Sequence, residues 1–307
     1  MKRKSNLKRR VISNWQLYLF LLPVVLYFLI FRYVPMAGVQ IAFRDYNPIG
    51  GIWGSPFVGL KHFIRFFHSA DCWMVIGNTL KISLINLIAG FPIPIILALL
   101  LNMVRNQKFK KVVQTTIYAP HFISAVVIVG MINLFLSPTS GIINKFIAMF
   151  GGTPQMFMGD AGAFPAIFVI SEIWQTMGYN SIVYIAALSG VSPELHESAI
   201  VDGATAWQRI RYIDLPSIMP TIIILLIMNA GRILTIGYEK IYLMQNTLNR
   251  AGSEVVSTYV YKQAFGASGL PSFSYASAIG LFESVVSLAM LLLVNYIASK
   301  YSDTSLI

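Results

Sequence analysis

Charged side chains are scarce in this sequence. Asp, Glu, Lys and Arg make up 11% of its 307 residues, against about 25% in an ordinary soluble domain. So few charges could not cover the surface of a soluble chain this long. With 56% hydrophobic residues and a mean hydropathy of +0.67, the composition implies an integral membrane protein. Acids are the scarcer sign, 12 Asp+Glu against 23 Lys+Arg. In a soluble protein that excess would suggest nucleic acid; here it reads first as basic loops on the cytoplasmic side, and no nucleic-acid partner is expected. A single cysteine, Cys72, excludes an intrachain disulfide framework. The histidines (His62, His68, His121, His196) are scattered without metal-ligand spacing, so no metal site is expected. There is no G-x-x-x-x-G-K-S/T phosphate loop, so the chain does not bind ATP in that manner. Nor is there a Ser/His/Asp or Cys/His set to read as a nucleophile system. Neither catalysis nor a cofactor is expected.

What is abundant is long apolar runs. A spanning helix needs about 20 mostly apolar residues, and six stretches qualify: 17–42, 79–103, 116–136, 165–188, 218–236 and 275–298. The expected fold is an all-α membrane protein of six transmembrane helices, one domain over residues 1–307. The first stretch follows a basic start (Lys2 to Arg10) like a signal peptide, but no small-x-small cleavage site follows and hydrophobicity continues to Ala42. It reads as a retained anchor. The basic start and the basic loop 104–114 (Arg105, Lys108, Lys110, Lys111) are placed in the cytoplasm by the positive-inside rule. Six spans then put both termini inside, with outer loops at 43–78, 137–164 and 237–274. The loop 190–216 is also inside, yet its four acids outnumber its two arginines. A loop that breaks the bias has a task.

That loop runs from Gly190 to Pro216 and reads as a short helix, a break and a second short helix. Ser192 suits an N-cap, Pro193 the first helical position and Glu194 the first turn. Gly203 permits a sharp turn, and Pro216 opens the fifth span. Leu195, Ala199 and Ile200 share one helical face, while Glu194, Glu197 and Asp202 lie on others. A small helix carrying an apolar face and carboxylates suits a groove on another protein.

These residues resemble the EAA loop of ATP-binding-cassette (ABC) importer permeases: Glu197-Ser198-Ala199, then Gly203, then Ile213-Asp214-Leu215-Pro216, with the family's spacing and Ser198 in place of the middle alanine. The segments 31–36 (FRYVPM), 41–48 (IAFRDYNP), 54–60 (GSPFVGL), 119–122 (APHF) and 237–246 (GYEKIYLMQN) are similar to the LplB-type branch of carbohydrate permeases. The resemblance implies a type I ABC importer permease fold. It also implies a heterodimer with a second permease, two cytoplasmic ATP-binding subunits and an extracellular solute-binding protein. The substrate implied is an oligosaccharide, including acidic, uronate-containing ones. Docking of the ATPase is expected at Leu195, Glu197, Ser198, Ala199, Asp202 and Gly203. The rival class is an ion-coupled carrier or channel, for which inverted repeats would speak; none is evident.

Polar groups inside spans are costly and therefore informative. The fourth span holds Glu172, Gln175, Tyr179 and Asn180; the fifth holds Asn229 and Arg232; the sixth holds Glu283. Amides, carboxylates and aromatic faces are what a sugar path needs, so these seven are its candidates. Two readings of Arg232 stand side by side: an ion pair with Glu172 or Glu283, or a guanidinium free to hold a uronate carboxylate bidentately.

Overall fold

A computed structural model describes residues 13–266 and 270–301. The basic cluster from Lys2 to Arg10 lies outside them. All regular elements among the described residues are helical; β-pairing there is limited to two isolated bridges, Arg44 with Phe57 and Asn47 with Gly51. In chain order the main helices are α1 (Trp15–Phe43), α2 (Lys61–Phe67), α3 (Cys72–Met103), α4 (Gln107–Phe122), α5 (Ala125–Phe135), α6 (Ile142–Met149), α7 (Phe164–Leu188), α8 (Pro193–Val201), α9 (Ala206–Ala230), α10 (Tyr238–Met244), α11 (Val256–Phe265) and α12 (Phe273–Tyr301).

Four of these (α1, α3, α9 and α12) are long and apolar enough to cross a membrane, and α4 with α5 adds a fifth if the bent pair is one span. At 25 residues α7 is long enough as well, but its polar stripe sets it apart from the four. Two expected boundaries are corrected. The third span is not one straight helix over 116–136: α4 and α5 meet at 98°. Pro120 has no N–H to donate, and Ser124 caps the new helix by accepting from Val127 N at 3.4 Å. The fifth span starts at Ala206, not Ile218, and ends at Ala230, not Ile236. Pro216 therefore lies within α9, just past a π-helical turn, Ile210–Asp214.

The chain divides into two compact units. The first comprises residues up to Phe66 and Gln263–Leu281. In it α1 buries nothing against its own chain before Ala42, as expected of a helix apolar all round and facing lipid or another subunit. Asp45 anchors the following loop, pairing with Lys61 at 2.6 Å and His62 Nε2 at 3.0 Å. Tyr46 N donates to Ser274 Oγ at 2.8 Å, and Arg65 lies 4.4 Å above the ring of buried Tyr275.

The second unit, Phe67–Lys262 with the residues from Phe282 on, holds the main cores. One gathers Ile82, Val129, Phe164, Phe168, Ile241 and Met244; another gathers Ile95, Ala98, Leu99, Tyr184, Leu188 and Ile218. Helix α7 belongs to both, so its polar stripe sits on a fixed support. Its Gly178 lets α4 approach closely, since a Cβ there would run into the Ile117 carbonyl.

Candidate functional site

A cavity of about 390 Å³ lies within the second unit. Its walls come from α3 (Ser83, Asn86, Phe91), α7 (Phe168, Glu172, Thr176, Tyr179, Asn180) and the end of α9 with the segment after it (Asn229, Arg232, Thr235). Two features of local structure open this space. A π-helical turn at Asn86–Gly90 interrupts α3, a distortion common at functional positions. Beyond Ala230 the chain leaves the helix, with Gly231 as its cap and Arg232 N donating to Asn229 O at 3.0 Å. Irregular backbone at membrane depth is tolerated where it lines a cavity. Arg232 therefore sits just past a helix end, not within a helix as the sequence suggested.

Five of the seven expected side chains line the cavity: Glu172, Tyr179, Asn180, Asn229 and Arg232. The other two do not. Gln175 turns away, its Nε2 donating to Ile123 O at 3.2 Å and its Oε1 accepting from Lys240 at 3.1 Å. The Glu283 carboxylate accepts from the Thr235 hydroxyl. The ion-pair reading of Arg232 is overturned. Glu172 pairs with Lys240 at 3.0 Å, and Arg232 makes no ion pair among the described residues. Exposed within the cavity wall, its guanidinium is the wall's one charge without a charged partner among the described residues.

Two contributors were missed in the sequence. Lys240, expected in an outer loop, is 4% exposed, because α10 folds back onto α7. The signal was present: a lysine followed by Ile241 and Met244 marks an amphipathic turn whose apolar side buries. His121, within the segment similar to sugar permeases, stacks on Tyr179 with ring centroids 3.9 Å apart and planes 7° apart. Tyr179 is thereby held with its ring at the cavity and remains 44% exposed. Ser83 also lines the cavity, with its hydroxyl oxygen buried behind the wall. Rings, amides, hydroxyls and one cation together can hold a polyhydroxylated anion.

The other polar residues of the segment 245–262 mostly serve their own chain. Asn249 is buried and donates to Met158 O at 2.9 Å and Met244 O at 3.1 Å. Asn246 also donates to Met158 O, at 2.6 Å. Glu254, fully buried, pairs with Lys262 at 2.8 Å and Arg250 at 3.1 Å.

The candidate docking element is α8 with its flanking turns. Ser192 Oγ accepts from Glu194 N at 3.3 Å, as an N-cap should. The helix ends in a Schellman turn: Gly203 N donates to Ile200 O at 3.0 Å and Ala204 N to Ala199 O at 2.8 Å, with Gly203 at φ +78°. Thr205 then starts α9 with a capping box, exchanging hydrogen bonds with Gln208. Ser198 satisfies its own hydroxyl on Leu195 O at 3.2 Å, so serine substitutes for alanine without cost here. Leu195 and Ile200 are half exposed or more, at 52% and 50%. Glu194, Glu197 and Asp202 are also exposed, while Ala199 is half-buried. The second short helix expected after the break at Gly203 is the start of α9. Sequence reading also missed a contact of this region: Asp214 lies 3.3 Å from both His196 Nε2 and Asn102 Nδ2.

Comparison with known proteins accounts for this architecture. Residues 90–303 match the family described as binding-protein-dependent transport system inner membrane component. Protein LplB of Bacillus subtilis (strain 168) is 43% identical over 294 residues, 96% of this chain and 91% of that protein. The polygalacturonan/rhamnogalacturonan transport system permease protein YteP, from the same organism, is 41% identical over 304 residues, covering 98% and 93%. A solved chain of a bacterial ABC transporter involved in the import of the acidic polysaccharide alginate superposes with a TM-score of 0.87 at 39% identity, covering 96% of this chain and 99% of that one. A bacterial alginate ABC transporter in complex with an alginate pentasaccharide-bound periplasmic protein gives 0.88 at 38% identity, covering 97% and 99%. The chain belongs to the binding-protein-dependent transport system inner membrane components.

Proposed function

We propose that this inner membrane component is the permease of an ABC importer for an acidic oligosaccharide. An extracellular solute-binding protein delivers the sugar, and ATP is hydrolysed by separate cytoplasmic subunits docked on α8. The observation that carries the substrate class is Arg232: a guanidinium exposed in a cavity, with its expected carboxylate partner already taken by Lys240. A guanidinium donates two parallel hydrogen bonds to a carboxylate, and Tyr179, Asn180 and Asn229 supply a ring and polar groups for the sugar. The kinship with permeases of alginate and polygalacturonan systems supports the same class. Membership of a binding-protein-dependent family speaks against the ion-coupled carrier. A second permease, completing the pathway, is part of this reading.

The test is selective uptake. A charged hydrogen bond contributes about 1.5–3 kcal/mol, so Arg232→Gln should cut uptake of a uronate oligosaccharide about tenfold or more. A neutral analogue should be little affected. Equal loss of both would make Arg232 structural, and no loss of either would remove it from the site.

A further inference from the structure

Three elements of the second unit meet at one carboxylate. Asp214 is 2% exposed, and its Oδ1 lies 3.3 Å from His196 Nε2 and accepts from Asn102 Nδ2 at 3.3 Å. Asn102 is at the end of α3, His196 is in the middle of α8, and Asp214 closes the π-helical turn of α9. Arg209, a turn earlier in α9, supplies a further positive charge facing the carboxylate. None of this is needed to shape the loop, since the Schellman turn and the capping box do that. A buried carboxylate is costly unless paired, so its placement here calls for a role.

The role follows from how α8 is attached. No residue of α8 is buried, so the helix cannot push on its neighbours through a packed apolar face. The chain on either side, Ser189–Ser192 and Asp202–Thr205, consists of bends and turns. Among the described residues, the one side-chain tie of α8 to the long helices is the 3.3 Å contact of His196 Nε2 with Asp214 on α9, a carboxylate that Asn102 of α3 also holds. Those same helices carry Ser83 and Asn86 (α3) and Asn229 (α9) at the cavity.

We propose that Asp214 is a coupling node: His196, Asp214 and Asn102 fasten α8 to α3 and α9, so that displacement of α8 by a docked ATPase moves the helices that wall the cavity. This rests on the docking reading of α8. These are positioning residues, and their loss should separate ATP hydrolysis from motion in the cavity.

The experiment uses the assembled transporter with its ATPase subunits and needs no substrate. Native Cys72 is fully buried, so Asn180→Cys reports the cavity by its maleimide labelling rate. In the parent, labelling should change between the nucleotide-free state and the ATP–vanadate state. In Asp214→Asn the ATPase should still copurify and hydrolyse ATP, while the labelling change falls about tenfold, the equivalent of one charged hydrogen bond. A full response in Asp214→Asn overturns the node. Should that variant fail to assemble, His196→Gln, on the exposed helix, carries the test, and a full response there overturns the node equally. If no ATPase copurifies even with the parent, the docking reading falls and the node with it.

Discussion

Lys240 decides the chemistry of the cavity, because it takes the acid that would otherwise neutralise Arg232. Removing one partner of a buried ion pair costs about 3–5 kcal/mol; Glu172 is 27% exposed, so the lower end applies. Lys240→Met should lower the thermal unfolding temperature of the purified protein, and adding Glu172→Gln should recover most of the loss. A double variant no better than the single would mean that Lys240 acts through Gln175 and Phe168 instead. Asp45 gives a pH prediction outside the spans. The hydrogen bond from Lys61 holds its carboxyl below the ordinary 3.8, with His62 adding to it. A lowered folded pKa lends stability that is fully present above 3.8 and lost as pH falls through the folded value. Amide-exchange protection of residues 44–62 should therefore hold down to pH 3.8 and fall below it, a step that Lys61→Met should shrink and that His62 alone should not sustain in full. At this scale the sequence was informative where cost speaks: Glu172, Tyr179, Asn229 and Arg232 stood out as polar groups in apolar runs. It hinted at Lys240 only through the apolar residues that follow it and was silent on His121, because their roles exist only once α10 folds back and α4 breaks at Pro120.

Among the elements, α8 was the most legible, since caps and a glycine turn are local chemistry. Ser192, Pro193 and Gly203 act in the structure as their residue types dictate. The ends of α9 were not legible, because apolar content marks where lipid begins, not where a helix does. The polar turn from Ala206 to Asp214 is helical through its capping box and π turn, neither of which raises hydropathy. The break between α4 and α5 was missed for the converse reason: hydropathy stays high across Ile123, while Pro120 and Ser124 redirect the backbone. A β-branched residue at φ +78° is strained, at a cost of about 1–2 kcal/mol. Gly203→Val should therefore open the Schellman turn and swing α8 from its position. Copurification of the ATPase should fall severalfold, with the yield of folded permease unchanged. Intact copurification and transport would remove α8 from the docking role.

For the whole molecule, the expectation still to be tested is six crossings with both termini inside. Length and apolar content support four helices, or five with the bent pair, and α7 supplies the sixth only if its polar stripe faces protein and water. The core contacts of α7 and its place in the cavity wall favour that, since a helix covered on its polar side need not be apolar all round. The α4–α5 pair is the weak point. Bent by 98°, it either crosses or turns back, and the two cases invert everything after it. Because native Cys72 is buried, single cysteines at exposed positions can be labelled in right-side-out vesicles with a membrane-impermeant maleimide. Cysteines at Ile49 and Ser140 should react at once, and cysteines at Lys108 and Glu194 only after permeabilisation. If α4–α5 were re-entrant, Lys108 and Ser140 would share a side, and the helix after Ser140 would carry Glu194 to the opposite face. The acids of the docking loop would then lie outside, where no ATPase could reach them. The charge of loop 104–114 argues against this: holding Arg105, Lys108, Lys110 and Lys111 inside while α5 continues across keeps both the basic loop and α8 in the cytoplasm.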